Sequence, residues 1–220
     1  MGIQALFALF GGYLSFPDFQ EVVMEQLSKA AKLKDGTAVT IRALSKQDGP
    51  ALLAFFKALP KDDRLFLKED VTRKEVIERW LEEDDFDKVF PIVAEKDSSI
   101  IGDATLHLNK YGWQRNMAEI RCVVAKKFQQ KGLGTLLMKE LVAYADKKGV
   151  TKITAKMMDT QVAAQNAFRR LGFKKEYELK DFVVDITGKP HRLVIMVNDV
   201  VDLWKTMEDL LIYSDMNTGN

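Results

Sequence analysis

Two periods alternate along this chain. A spacing of three to four holds for Phe19, Val22, Val23, Gln26, Leu27 and Ala30 and predicts a helix whose first turn takes Pro17. Asp35-Gly36 breaks that pattern. From Thr37 the period becomes two, with Val39, Ile41 and Ala43 set against Thr40 and Arg42, as in a strand. Helical spacing returns over 47–59 and 73–81, separated by a charged loop, 60–70, that contains Arg64 and Phe66. Strands are predicted at 89–94, 100–107 and 117–125, with Ser98-Ser99 turning the first hairpin. The loop 109–116 carries Tyr111 and Trp113. A helix follows over 133–147, ended by Gly149, then a strand over 151–157 and a short helix over 161–171. Strands at 177–185 and 191–197 flank Thr187-Gly188-Lys189-Pro190. The tail, 199–213, has the stripe Val200, Leu203, Trp204, Met207, Leu211 of an amphipathic helix. A strand meander, a strand–helix–strand unit and a closing hairpin predict an α/β protein: a central sheet covered by helices on both faces.

Composition narrows the class. The chain has 220 residues, 47% of them apolar and 30% charged, with a net charge of +1. That predicts one large globular domain with extensions, and no global field drawing it to nucleic acid or anionic lipid. One cysteine, Cys122, precludes an internal disulfide, and no Cys/His cluster offers a metal site. A reducing, cytoplasmic setting follows as the expectation. The uncharged stretch Ile3–Phe16 is shorter than a membrane span and lacks a basic flank. It reads as a docking segment, with an interfacial anchor as the alternative.

The most informative stretch runs Val123-Val124-Ala125-Lys126-Lys127-Phe128-Gln129-Gln130-Lys131-Gly132-Leu133-Gly134-Thr135. A strand ends, two glycines follow, and a helix begins. Unpaired N–H groups and the helix dipole favour an anion there, and glycines let it approach the backbone. Neither a Walker A loop nor a dinucleotide fingerprint fits, since Leu137 stands at the third glycine position. By itself the stretch is either a phosphate cradle or a tight turn.

Gln129-x-x-Gly132-x-Gly134 resembles the [QR]-x-x-G-x-[GA] signature of the GCN5-related N-acetyltransferases (GNAT). Downstream, Ala167-Phe168-Arg169-Arg170-Leu171-Gly172-Phe173 resembles that family's second helix signature, and 118–124 has the look of its central strand. Ile41–Leu44 and Leu59–Phe66 look like bacterial members, including those near protein lysine acetyltransferases. The resemblance covers 37–197 and implies a mixed, mostly antiparallel GNAT sheet there; the helical N-terminal extension (1–36) and the C-terminal amphipathic helix and tail (198–220) lie outside it. It implies acetyl-CoA as co-substrate, no metal, and direct transfer of acetyl to an amine of a protein lysine or a small molecule. A non-catalytic acyl-CoA-binding or sensor module is the alternative.

In that frame Val123, Val124, Gln129, Gln130, Lys131, Gly132, Leu133, Gly134, Thr135 and Phe168 are the cofactor-binding residues. The central strand is expected to splay after Val124, where a backbone N–H holds the thioester oxygen. A lysine-like amine with pKa ~10.4 is ~99.9% protonated at pH 7, a handicap of roughly 4.6 kcal/mol, so a base is useful. Glu119 is the first candidate and His107 the second. The competing reading of Glu119 is a strand residue salt-bridged to Arg121; of His107, a structural histidine. His191 reads as exposed and Cys122 as a small buried hydrophobe. Phe168 stands where many members carry a tyrosine that protonates the thiolate, and Gln161 where an asparagine is common. Arg64, Tyr111 and Trp113 are candidates to line the acceptor side. The terminal helices are expected to pack on their own domain, with homodimer contact as the alternative.

Overall fold

The computed structural model describes residues 28–64, 67–82 and 85–207. Its frame is an eight-stranded sheet: β1 (Lys29–Lys32), β2 (Ala38–Ala43), β3 (Val89–Lys96), β4 (Ser99–Leu108), β5 (Met117–Val124), β6 (Lys152–Met158), β7 (Lys174–Val184) and β8 (Pro190–Asp199). They lie in the order β1-β2-β3-β4-β5-β6-β8-β7, antiparallel throughout except for β5 beside β6. The helices are α1 (Gly49–Ala58), the single turn α2 (Lys61–Arg64), α3 (Lys74–Glu82), α4 (Leu133–Lys147), α5 (Val162–Arg170) and α6 (200–207). The β3–β4 turn places Asp97 and Ser98 at positive φ, as a tight hairpin requires.

Alternation sorts the strand side chains onto two cores. On one face α4 sets Leu137, Met138, Leu141 and Val142 against Phe90, Ile92, Leu106, Ile120 and Ile153. Tyr144 stacks on Phe90 with centroids 3.7 Å apart. Gly102 lets the helix approach closely, since a Cβ there would lie 3.1 Å from Leu137 Cδ1. On the other face α1 and α3 bring Leu52, Phe55, Phe56 and Ile77 onto Val93, Ile100 and Val123. Helices therefore cover both faces, as the sequence predicts.

Two findings differ from the sequence reading. Residues 29–32, placed in a helical extension, form a strand, because Lys29–Lys32 pairs antiparallel with Ile41–Ala38 and completes the sheet edge. The predicted helix over 17–28 and the segment Ile3–Phe16 otherwise fall outside the described residues. β7 starts three residues early, where Lys174 pairs with Val197. The described part of the tail helix buries Val200, Leu203 and Met207 in the α4-side core, so these three side chains pack within their own chain, as the sequence reading expects; Leu211 of the predicted stripe lies outside the described residues. Leu203 has 0% exposure. Leu203→Ala is therefore expected to cost ~2–5 kcal/mol, read as a lowered denaturation midpoint, with acetyl-CoA affinity unchanged in the folded fraction.

Candidate active site

The cradle comes first. β5 ends at Val124, a 3-10 turn covers Lys126–Phe128, and Gly132 forms the N-cap of α4 at φ +88°, a left-handed conformation suited to glycine. The first helical bond runs from Leu136 N–H to Gly132 C=O, 3.1 Å. The N–H groups of Leu133, Gly134 and Thr135 have no acceptor among the described residues. Above Gly134 the space is open: a Cβ would meet only Val124 Cγ2, at 4.0 Å. Unpaired donors, helix dipole and clear approach suit a diphosphate.

The loop is braced from a direction the sequence does not reveal. The β1–β2 turn lies against it, with Lys34 N–H donating to Lys131 C=O (3.0 Å). Lys131 Nζ pairs with Asp35 at 2.8 Å and sits 5.6 Å from the Phe128 ring centroid. The Lys131 side chain thus fastens the loop to the turn. Gln129 likewise donates its side-chain amide to Val124 C=O (3.0 Å), tying loop to strand, and Gln130 adopts φ +61°.

Beside the cradle the sheet opens. β5 and β6 pair only over Met117–Glu119 and Lys152–Thr154. The splay begins after Glu119, not after Val124 as expected, because β6 continues on β8 through Met158 while β5 stays on β4. Backbone parity then decides which amides face the gap. Ala125 N–H donates to Ile101 C=O on β4, so Val123, two residues earlier in the same register, also spends its backbone there. Cys122 and Val124 point their N–H groups into the slot. Val123 does not, which corrects its expected part in backbone binding; its side chain packs under α1 and α3.

The slot's other wall is a polar lane on the α1/α3 face of the sheet. Glu119 Oε1 accepts from Lys68 Nζ (2.6 Å) and Arg121 Nε (3.0 Å), and Oε2 pairs with Lys156 Nζ at 2.8 Å. His107 lies opposite Glu119 in the β4–β5 ladder, with Nε2 3.2 Å from Thr105 Oγ1. Asp103 lies opposite Val123 on the same face.

The comparisons agree with this geometry. Residues 53–173, more than half of the chain, match the model of the acetyltransferase (GNAT) family. The chain belongs to the GNAT acetyltransferase family. It is similar to a ribosomal-protein-alanine N-acetyltransferase from Brucella melitensis, at 25% identity and a TM-score of 0.62, covering 72% of this chain and 98% of that one. The GNAT domain of S. lividans PAT (15% identity, TM-score 0.66; 79% and 97% covered) shares the fold. So does yncA from Salmonella typhimurium, solved with its cofactor acetyl-CoA (19% identity, TM-score 0.63; 74% and 95% covered). As a GNAT enzyme the chain is an acetyl-CoA-dependent N-acetyltransferase, and the cradle and slot fit that co-substrate.

The electrostatics of this GNAT site separate its titratable groups. Burial alone would raise the Glu119 carboxyl, but hydrogen bonds from Lys156, Lys68 and Arg121 outweigh it and bring the pKa to about 2. His107 is lowered to about 4, first by burial and then by the charges of Arg121 and Lys68, against Glu119. Burial pushes the Cys122 thiol up to about 12, with a smaller contribution from Asp103, so no thiolate exists there at neutral pH. Phe168 stacks edge-on with Phe173 (5.0 Å between centroids) and offers no proton. Gln161 accepts from Met158 N–H at 2.8 Å and closes the end of β6.

Sequence reasoning missed several residues here. Asp103 reads as the polar side of an alternating strand, yet burial raises its carboxyl to about 7. Lys68 and Lys156 come from a loop and a neighbouring strand, and only folding brings them to Glu119. His191, read as exposed, has a buried ring 3.0 Å from Asp185 Oδ2 and 3.6 Å from Asp159 Oδ1. Tyr111 and Trp113 remain exposed, in the loop at the start of β5, the opposite end of that strand from the cradle.

Asp103 carries a stability prediction. Its folded pKa lies above the unfolded value, so the folded state retains a proton that the unfolded state has lost, and stability falls as pH rises from about 4 to about 7. Asp103→Asn removes that loss. Its melting temperature is expected to exceed the parent's above pH 7 by an amount worth at most about 4 kcal/mol, with the gap closing toward pH 4.

Proposed function

We propose that this enzyme transfers acetyl from acetyl-CoA to a primary amine by direct attack. The observation that carries the reading is the gap beyond the Glu119–Thr154 pair, flanked by slot-facing amides, an anion cradle and a carboxylate. Acetyl-CoA supplies the acetyl group as a thioester. The N–H groups of Leu133, Gly134 and Thr135 hold its diphosphate, and Cys122 and Val124 N–H aim at the thioester oxygen, where each such donor is worth ~3 kcal/mol. Glu119 receives the amine and takes its proton, directly or through water, as the N–C bond forms and the C–S bond breaks. His107, neutral on the same face, is the second acceptor for that proton. Phe168 donates none, but a thiol pKa near ~8.5 makes the thiolate a tolerable leaving group. An acyl-cysteine route lacks its nucleophile in Cys122.

The catalytic unit comprises the whole sheet, with β1 and its turn bracing the cradle. A single, half-buried thiol suits a reducing, cytoplasmic compartment, and no helix among the described residues is long and apolar enough to cross a membrane. The test is incubation of the full chain with acetyl-CoA and a panel of amines and lysine peptides, reading free CoA and acceptor mass. The reading predicts saturable CoA release matched by one added acetyl per acceptor. Tight acetyl-CoA binding with no acetylated acceptor would assign the chain to the binding-module alternative, for which Phe168 is the motivating feature.

A further inference from the structure

We infer that the acceptor carries an acidic group, a carboxylate or phosphate, within a few atoms of its amine; this rests on the amine reading above. Three cations from three elements converge on one carboxylate: Lys68 from the α2–α3 loop, Arg121 from β5 and Lys156 from β6. One carboxylate answers three cations, and among the described residues no other acid is paired with any of them. Of the neighbouring acids, Glu69 pairs with Arg79, Asp70 turns to Thr72, and burial keeps Asp103, on the same face, from full ionisation at neutral pH. The arrangement is layered as well, since Glu119 is 15% exposed whereas Lys68, Arg121 and Lys156 are 51%, 42% and 40% exposed. His107, across the ladder, is held neutral partly by Arg121 and Lys68, consistent with an excess of positive charge.

An inner carboxylate ringed by outer ammonium and guanidinium groups complements a molecule with the opposite arrangement, an amine joined to an acid. A simple cationic amine meets the surplus charge and is repelled. An acceptor with an acid draws the hydrogen bonds of Lys68, Lys156 and Arg121 to itself and releases Glu119 from them. That release restores the carboxylate's basicity as its amine arrives, so recognition and proton transfer are coupled. The acid is the feature that admits the acceptor.

Matched pairs test this on the full-length enzyme with acetyl-CoA: propylamine against β-alanine, cadaverine against lysine, and ethanolamine against phosphoethanolamine. The inference predicts kcat/KM at least ~10-fold higher for the acid-bearing member, diminishing as added salt screens the charges. The carboxylate pairs and the phosphate pair show which acid is preferred. In the Lys68→Gln/Lys156→Gln double variant the ratio within a pair falls toward one, with calorimetric acetyl-CoA affinity confirming an intact fold. Equal or better use of the acid-free members overturns the inference and leaves the amine reading standing, as does an unchanged ratio in the double variant. A protein that binds acetyl-CoA and acetylates no amine of either kind overturns both.

Discussion

Gly132→Asp abolishes acetyl-CoA binding in the range where the parent saturates. The residue sits at φ +88°, where a side chain costs the fold roughly 1–2 kcal/mol. A Cβ there points at the Lys34 side chain, 3.5 Å away, so the new side chain crowds the β1–β2 brace and adds a negative charge next to the unpaired N–H groups of α4 that hold the diphosphate. Two like charges about 6 Å apart repel by ~3 kcal/mol at an effective dielectric of 20. At 1.4 kcal/mol per tenfold, a loss of at least ~100-fold in affinity follows. Gly134→Asp separates fold from binding. Gly134 has an ordinary helical φ and open space above it, so melting is expected to stay near the parent value. The signature accepts a methyl here but not a charge, and the added carboxylate in the anion's approach lowers affinity at least ~10-fold. Calorimetric titration with a thermal melt of each variant reads both outcomes. Near-parental affinity in Gly132→Asp would remove the cradle from the account.

Glu119→Gln lowers kcat ~100-fold or more while leaving acetyl-CoA affinity within a factor of two, following the usual 10²–10⁴ worth of a positioned proton acceptor. The amide keeps the shape but neither accepts the ammonium proton nor balances Lys68, Lys156 and Arg121. The cradle lies past the far end of β5 and is untouched. The pH profile sharpens the test. With its pKa near 2, Glu119 is ionised throughout the neutral range, so the rising limb of kcat/KM belongs to deprotonation of the amine and climbs toward the amine's own pKa. Asp103→Asn leaves that limb in place. Disappearance of a limb near pH 7 in Asp103→Asn, with Glu119→Gln fully active, would move the proton to Asp103 instead.

Local chemistry made much of this legible in the sequence. Leu133–Lys147 forms one helix because its apolar stripe, preceding glycine and terminal Lys148-Gly149 all agree on its limits. The strands declared themselves through alternation, and the signature from Gln129 to Gly134 declared the cradle. Quantities set by pairing did not show. Whether Val123 or Cys122 turns its amide to the slot depends on the β4–β5 register, one residue of which reverses the answer. The start of the splay depends on β6 holding to β8. β1 looked helical because Phe19 to Ala30 keep a helical spacing, and the free edge of β2 overrode it at 29–32. The surroundings of Glu119 come from residues 51 positions before it and 37 after it, contacts no local pattern carries.

Main-chain amides at the head of α4 grip a diphosphate in this reading, while those of β5 aim the attached thioester. Calorimetric titration of the full-length protein with acetyl-CoA and with S-acetylpantetheine, which lacks the diphosphate, separates the two grips. One saturable site is expected for acetyl-CoA, with an affinity at least ~100-fold weaker for the truncated thioester, consistent with strong anion binding at a helix N-terminus. No heat with acetyl-CoA, or equal affinity for the two, would refute the diphosphate cradle.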